Sequence, residues 1–304
     1  MARFTTNFTS RALYRAITLD IIVPSDHMCL PGKDMPNPKK PFKTMYYLEG
    51  ALGNCSGPLN YSTLQRIAED YNLAVVCIGG ENKWFGNSVK TGDNLIDMVA
   101  KDVVNFTRKT FHFSEEREDT YIAGFSMGGH AAFVIGLRNP DIFGRIISID
   151  ASFQKGAILT AVEAGQETWD ISSKSAYECM FGLDDVNDWV GSDQDYEKLA
   201  ADLARDNKDL MPKALMLCGT EDALYAPNKE YFELLKENGY DAEWVDLEGG
   251  NHSYYTCDLA FEPMMKWLPI DEKETFCNNY PYDGKGAFVS IDNFNNWDAF
   301  YNIK

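Results

Sequence analysis

The residues that most constrain this chain are Gly124, Ser126 and Gly128, which form a Gly-x-Ser-x-Gly motif. The motif lies between the apolar run 120–123 and the alanine-rich segment 127–137, so it predicts a strand that turns sharply into a helix. The serine in such a turn has strained backbone, and side chains two positions away on either side would collide. The pattern is typical of a nucleophile elbow and nominates Ser126 as the nucleophile. A glycine-rich loop capped by a serine is the alternative interpretation.

An elbow serine needs a histidine that follows it in the chain, with an acid between the two. The sequence contains four histidines, and His27 and His112 precede the elbow, while His130 lies one helical turn after Ser126. The fourth, His252, lies in a glycine-rich loop directly after a predicted strand. His252 is therefore the predicted general base.

The predicted acid is Asp222, which ends a Gly-Thr-Glu-Asp segment after the apolar run 213–218. Its carboxylate would accept a hydrogen bond from one imidazole nitrogen and stabilise the imidazolium. Two alternatives remain open at this point. Glu221 is adjacent, and Asp150 follows the earlier apolar run 145–149, where some hydrolases carry the acid.

Two backbone amides are predicted to hold the oxyanion that forms during ester cleavage. One belongs to Met127, the residue after the nucleophile, and the other comes from the loop after the third strand. The apolar run 44–48 is that strand, and the loop 49–54 is rich in glycine. Ala51 is the predicted donor in this loop.

These segments together point to one family. Residues 7–13, 73–76, 117–120, 124–129, 218–225 and 250–252 carry the likeness. Over about residues 1–268 the chain resembles the esterase D-like hydrolases, which include tributyrin esterases, feruloyl and acetyl xylan esterases, and S-formylglutathione hydrolases. The likeness is strongest to the bacterial tributyrin esterases. It implies cleavage of short-chain acyl or hydroxycinnamoyl esters without a cofactor.

The chain departs from this family in two places. The family usually has His-Gly where this chain has Glu49-Gly50, and a carboxylate close to a forming oxyanion would destabilise it. Relatives also tend to stop near Leu268, whereas this chain continues to Lys304 with many aromatic residues. We expect this extension to pack on the hydrolase surface, with an active-site edge or a dimer contact as the alternative.

The alternation of strand-like and helix-like segments predicts an α/β fold with a doubly wound, mostly parallel sheet, the α/β-hydrolase fold. Residues 1–268 are predicted to form one domain with a cap-like insertion at about 152–209. The helices are predicted at 61–71, 94–111, 228–238 and 258–267. Three aromatic residues near the predicted site, Trp84, Phe85 and Trp189, are expected to contact substrate.

The composition limits the kinds of molecule that this protein is expected to bind. A net charge of −18 argues against nucleic acid and anionic membrane surfaces, which would repel the chain. The seven cysteines include no Cys-x-x-Cys pair, so they predict neither a disulfide framework nor a zinc site. The N-terminal segment lacks an apolar signal-peptide core, and we expect a cytoplasmic protein that acts on a small-molecule ester, with homo-oligomerisation left open.

The sequence thus predicts a serine carboxylesterase that uses Ser126, Asp222 and His252. Three alternatives share the same framework: an acyltransferase, a thioesterase like S-formylglutathione hydrolase, and a hydrolase-fold protein that binds a ligand without turnover.

Overall fold

The computed structural model describes residues 2–25, 41–164 and 170–270. Ten strands occur within these ranges: β1 (Ala2–Ser10), β2 (Arg15–Val23), β3 (Thr44–Leu48), β4 (Ala74–Ile78), β5 (Asn87–Ser88), β6 (Asp93–Asn94), β7 (Thr120–Phe125), β8 (Arg145–Ile149), β9 (Lys213–Gly219) and β10 (Ala242–Leu247). Strands β5 and β6 pair with each other, and the other eight form one sheet in the order β1-β2-β4-β3-β7-β8-β9-β10.

The sheet is parallel from β4 to β10, and only β1 and β2 run antiparallel to their neighbours. This confirms the predicted mostly parallel sheet of an α/β-hydrolase fold. Since parallel strands end at the same edge, the loops after β3, β7, β8, β9 and β10 gather along one side of the molecule.

The helices in the same ranges are α1 (Gly57–Tyr61), α2 (Leu64–Asp70), α3 (Leu95–Asp97), α4 (Val104–Phe111), α5 (Met127–Arg138), α6 (Lys155–Leu159), α7 (Lys174–Phe181), α8 (Tyr196–Asp206), α9 (Tyr225–Glu237) and α10 (Tyr254–Trp267). A π-helical segment, Met98–Val103, joins α3 to α4, and short 3₁₀ turns lie at Arg117–Asp119, Val186–Trp189 and Lys208–Leu210.

Helices cover both faces of the sheet. Alternate strand residues point to opposite faces, so that Val75 and Cys77 of β4 join one buried cluster while Val76 and Ile78 join the other. Residues of α2 and α10 complete the first cluster, and residues of α5 and α9 contribute to the second. Strands buried on both sides in this way read as continuous apolar runs, which is why the sequence located them well.

Several helices differ from their predicted bounds. The helix predicted at 61–71 is present as α2, Leu64–Asp70, and begins later than predicted because α1 ends at Tyr61 and Ser62 takes an extended conformation. Helices α9 and α10 begin at Tyr225 and Tyr254, earlier than predicted, and α10 continues through Pro263. The helix predicted at 94–111 is present as the continuous run α3 to α4.

The segment between β8 and β9 carries α6, α7 and α8, and we call it the cap segment. Helix α8 packs against α5, the helix that follows the predicted elbow. The aromatic extension after residue 270 and His27 lie outside the described residues, so the expected packing of the extension stays a prediction. No helix within the described ranges is both long and apolar enough to cross a membrane.

Candidate active site

Ser126 lies on the tight turn between β7 and α5. Its backbone has φ +56° and ψ −118°, a region that side-chain-bearing residues rarely adopt, and the residue is 7% exposed. A Cβ atom on Gly124 would overlap the carbonyl group of Gly128, and one on Gly128 would overlap the carbonyl oxygen of Leu48. Backbone contacts therefore demand glycine at both positions, as a nucleophile elbow requires.

The structure brings Ser126, His252 and Asp222 together from three loops. His252 Nε2 lies 2.8 Å from Ser126 Oγ, and His252 Nδ1 lies 2.7 Å from Asp222 Oδ2. With the proton on Nδ1, the imidazole donates to Asp222 and accepts from the serine hydroxyl. Asp222 is fixed by the N–H of Leu224, which donates to Oδ1 at 2.8 Å.

The charges at these three side chains agree with that hydrogen-bond chain. Burial alone would raise the pKa of Asp222, but the hydrogen bonds from His252 and Leu224 lower it below its usual value. Burial would lower the pKa of His252, but the hydrogen bond to Asp222 and its charge raise it above 6.5. The pair is thus arranged to stabilise a proton on the imidazole while Asp222 stays ionised.

Glu221, the adjacent acid, lies apart from this arrangement. Its side chain is exposed, and its backbone N–H donates to the carbonyl of Gly250 at 2.9 Å. Asp150, the second alternative, lies close to the site but does not contact the imidazole within hydrogen-bond distance in the way Asp222 does.

The loop after β3 adjoins the serine, as the prediction for Ala51 requires. A Cβ atom on Gly50 would lie 3.4 Å from Cβ of Ser126, so the backbone at this point passes directly beside the nucleophile. Met127 is buried and is the first residue of α5, directly after Ser126. The N-terminal amides of that helix are therefore at the serine.

Glu49, at the start of the same loop, is turned into the protein. The residue is 1% exposed, and Oε1 accepts from the N–H of Gly50 at 2.7 Å and from the hydroxyl of Tyr254 at 3.1 Å. Cβ atoms on Gly53 or Gly57 would collide with the Glu49 side chain. Burial raises the pKa of Glu49, and the two hydrogen bonds oppose this only in part.

Two residues after β8 complete the surroundings of the serine: Asp150, an alternative for the acid, and Ser152, which was not predicted as part of the site. The Oγ atoms of Ser152 and Ser126 lie 3.2 Å apart, and the N–H of Ser152 donates to the Ser126 carbonyl at 3.0 Å. Asp150 lies beside Asp222. The signal available in the sequence was their position directly after a parallel strand next to the elbow strand, since such strands end at one edge.

The three predicted substrate-contacting aromatic residues are buried. Trp84, Phe85 and Trp189 are 6%, 1% and 0% exposed. The Trp84 ring packs against His130, with 5.3 Å between ring centroids, and the Trp189 ring packs against Tyr196 at 5.4 Å. In this structure the three side chains pack within the cap segment and the loop after β4, and their contact with substrate stays a prediction.

A cavity of about 580 Å³ lies between α6, α8 and α9, which is within the usual volume of a small-molecule site. Its lining includes Phe153, next to Ser152, and Leu224, whose N–H binds Asp222. Ser126 and His252 are not part of that lining.

Asp150, Asp222 and His252 offer donor atoms within 4.8 Å of one another, a spacing that a metal ion can also use. Asp222 and the Nδ1 atom of His252 already bind each other directly at 2.7 Å. The arrangement is that of an acid and base pair beside a serine.

The sheet order, the serine elbow and the His and Asp side chains on the loops after the last two strands define an α/β-hydrolase of the serine type. A family model described as "Putative esterase" matches residues 10–255, and the chain belongs to this family. A curated acetyl esterase from Caldicellulosiruptor saccharolyticus is 30% identical over 253 residues, which cover 83% of this chain and 92% of that protein.

Solved structures share the fold. A fluorophosphonate-binding serine hydrolase of Staphylococcus aureus matches with a TM-score of 0.73 and 24% identity, covering 88% of this chain and 98% of that chain. An S-formylglutathione hydrolase from the same organism matches with a TM-score of 0.71, 24% identity and the same coverage. The protein is a carboxylic ester hydrolase with an α/β-hydrolase fold.

Proposed function

We propose that this enzyme hydrolyses esters of short acyl groups, acetyl esters first, through an acyl-enzyme on Ser126. The observation that carries the proposal is the continuous hydrogen-bond chain from Ser126 Oγ through His252 to Asp222, with distances of 2.8 Å and 2.7 Å. The likeness to a curated acetyl esterase supports the acyl class. Hydroxycinnamoyl esters are the next class to test.

In the first half of the reaction, Ser126 Oγ attacks the ester carbonyl carbon and passes its proton to His252 Nε2. The backbone N–H groups of Ala51 and Met127 hold the oxyanion of the tetrahedral intermediate. The imidazolium then gives its proton to the alcohol oxygen as the C–O bond breaks. The alcohol leaves, and the acyl group remains on Ser126.

In the second half, water enters and His252 takes one of its protons while the oxygen attacks the acyl carbon. The same two N–H groups hold the second oxyanion. The bond to Ser126 Oγ then breaks, the serine regains its proton from His252, and the carboxylic acid leaves. Asp222 keeps Nδ1 protonated throughout, so that Nε2 is free to accept a proton.

We further propose that the enzyme acts inside the cell. Five described cysteines, Cys55, Cys77, Cys179, Cys218 and Cys257, are free thiols. Burial raises the pKa of the Cys55 thiol to about 11 and that of Cys77 well above its usual value, which keeps these thiols unreactive. Cell fractionation tests this: activity in the culture medium instead of the cytosol would contradict it.

The activity test compares p-nitrophenyl acetate, butyrate and octanoate with methyl ferulate. We expect the highest kcat/KM on the acetate or butyrate. Ser126→Ala should lower kcat by about 10⁶-fold, and Asp222→Asn by roughly 10³- to 10⁴-fold, since the latter favours the wrong imidazole tautomer. Glu221→Gln is the matched control, because that carboxylate is exposed and next in sequence; its activity should be unchanged.

The alternatives predict different outcomes. Full activity in Ser126→Ala would overturn the proposed nucleophile. A preference for methyl ferulate would move the substrate to the hydroxycinnamoyl class, and cleavage of S-formylglutathione above all oxygen esters would move it to a thioester. A binding protein without turnover would fail to react at Ser126 with a fluorophosphonate probe.

A further inference from the structure

Asp150 has a buried carboxyl group that lies close to Asp222, the predicted acid. It follows β8, is fully buried, and has a positive φ of +44°, which is unusual for aspartate in such a position. Oδ1 accepts from the N–H of Gly219 at 2.8 Å, and its own N–H donates to the carbonyl of Leu217 at 3.0 Å. Strand β9 therefore holds Asp150 by its backbone and by one carboxyl oxygen.

The carboxyl group of Asp150 lies close to that of Asp222. Within the described residues, no N–H or O–H group donates to Asp150 Oδ2, although this oxygen is buried. One oxygen of Asp150, one oxygen of Asp222 and one ring nitrogen of His252 all lie within 4.8 Å of one another. Two carboxyl groups buried this closely do not both ionise, and one of them keeps a proton.

The surroundings decide which carboxyl keeps the proton. Asp222 accepts from His252 at 2.7 Å and from Leu224 N–H at 2.8 Å, both of which favour its charged form. Asp150 accepts from one backbone N–H, that of Gly219, and from the Cys218 thiol, which is a weaker donor. Burial, opposed by that N–H and reinforced by the charge of Asp222, raises the pKa of Asp150 to about 7.

The groups that act on Asp150 come from two elements. Asp222 and Cys218 belong to β9 and the loop after it, and His252 belongs to the loop after β10. Asp222 disfavours a charge on Asp150, whereas a protonated His252 and the hydrogen bonds from the Gly219 N–H and the Cys218 thiol favour one. When His252 is neutral and ready to act as a base, no positive charge among these groups stabilises an ionised Asp150.

We propose that Asp150 is a positioning residue that carries the proton of the carboxyl pair and donates it in a hydrogen bond to Asp222. This contact would hold the Asp222 carboxylate in place as the acceptor for His252 Nδ1–H. The inference rests on the proposed function, since it assigns Asp222 the role of the acid.

The test compares Asp150→Asn, whose amide can donate to Asp222 without charge, with Asp150→Ala, which cannot donate. Ser148→Ala is the matched control, because it removes a buried hydroxyl from the same strand without touching the triad. For each protein, kcat and KM on p-nitrophenyl acetate are measured from pH 5.5 to 9, together with the melting temperature.

We expect Asp150→Ala to lower kcat by roughly 10- to 100-fold with little change in KM, the size typical of a misplaced catalytic group. Asp150→Asn should restore most of that loss. Below about pH 7, where the wild-type Asp150 keeps its proton, kcat/KM of Asp150→Asn should follow the wild-type curve, because a neutral group replaces a neutral group.

Three results would overturn the proposal. A kcat/KM of Asp150→Asn that departs from the wild-type curve below pH 7 would mean that Asp150 is already ionised there. Unchanged kcat in Asp150→Ala would mean that no positioning occurs, and failure of Asn to restore activity in a variant that melts normally would exclude the hydrogen bond. Ser126→Ala in the same assay tests the proposed function separately from the role of Asp150. If this variant stays active, the proposed function is wrong whatever the Asp150 variants show.

Discussion

The three histidines that the structure describes differ in their burial and in the groups that contact them. His130 is fully buried among aromatic rings, and burial lowers its pKa to about 3, so it stays neutral over the physiological range. His112 is exposed and ends α4 in a left-handed conformation. His252 combines partial exposure with a carboxylate partner, and this combination makes a histidine useful as a base near neutral pH.

Glu49 is the residue at which this chain departs from the family it resembles. Its neighbours contain two hydrogen-bond donors and no cation that acts on it. A buried carboxyl group without a cation favours the neutral form, which removes the conflict with an oxyanion on the same loop. The collisions that Gly53 and Gly57 avoid also show that the loop is shaped around this side chain.

The charge on Glu49 should therefore affect catalysis in a pH-dependent way. Its raised pKa means that it is neutral at low pH and ionises as the pH rises through a value above 4.5. Ionisation near the oxyanion should lower kcat, so the ratio of wild-type kcat to that of Glu49→Gln should fall, by several-fold, as the pH rises from 4.5 to 9. Steady-state kinetics on p-nitrophenyl acetate measure this ratio.

Glu248→Gln is the control for that measurement, because it removes a carboxylate from an exposed position in the loop that carries His252. Its ratio to wild type should be flat across the same pH range. A flat ratio for Glu49→Gln as well would show that the Glu49 charge does not reach the oxyanion.

At the scale of elements, the elbow depends on contact between the backbones of β3, β7 and α5. Gly128 passes so close to the carbonyl of Leu48 that the start of α5 and the end of β3 have no room for a side chain. The same packing places the predicted oxyanion loop after β3 beside Ser126. Glycine here serves the assembly of three elements as well as the turn itself.

Gly128→Ala should consequently destabilise the fold by several kcal/mol, because a methyl group against fixed backbone atoms forces the elements apart. Urea unfolding followed by circular dichroism measures the loss. Gly156→Ala in α6 is the control, since nothing lies within 4 Å of an added Cβ and alanine favours a helix. Equal stability of the two variants would contradict the backbone contact.

The cap segment contains a run of acidic residues: Asp184, Asp185, Asp188, Asp193, Asp195 and Glu197. Its charge predicts a solvated edge, and Asp184 is indeed exposed. Asp195, however, is 3% exposed and accepts from the N–H groups of Glu197 and Lys198 at the start of α8. Asp185 caps the turn at Val186–Trp189 in the same way. Some of these acidic side chains thus lie at the starts of helices, where they accept hydrogen bonds from unpaired N–H groups and stabilise the helix.

At the scale of the whole molecule, the titrating groups of the site make stability depend on pH. The pKa of Asp150 is raised from an ordinary 3.8 to about 7 in the folded protein. Between these two pH values the folded state keeps a proton that the unfolded state has already released. Stability therefore falls as the pH rises through this window. His252 acts in the same direction, since its raised pKa gives stability that is present below 6.5 and lost as the pH rises through the folded value.

We expect the melting temperature of the wild type to fall by several degrees between pH 5.5 and 8. Asp150→Asn should reduce this fall, because the asparagine cannot titrate, whereas Ser148→Ala should leave it unchanged. The lowered pKa of Asp222 contributes stability that is lost only as the pH falls below about 3.8, outside this range. Calorimetry of the three proteins measures the difference, and identical slopes would contradict the assignment of a titrating Asp150.

Much of the fold and the site follows from the sequence alone. Apolar runs bounded by polar turns located the buried strands, and β3, β8 and β10 have the predicted bounds. The glycine spacing around Ser126 and the chain order of Ser126, Asp222 and His252 nominated side chains that the structure brings into contact. Such patterns are readable because each depends on neighbours in the chain or on the period of a strand or helix.

Only the tertiary structure distinguished residues whose roles depend on distant contacts. Asp150, Glu221 and Asp222 are similar carboxyl groups in the sequence, but their distances from His252 and their burial differ once β8, β9 and β10 lie side by side. The fold likewise buries the side chains of Glu49 and Trp189, which the sequence alone did not indicate. Exposure, charge state and distance are set by which strands and helices pack together, and residues far apart in the chain supply those contacts.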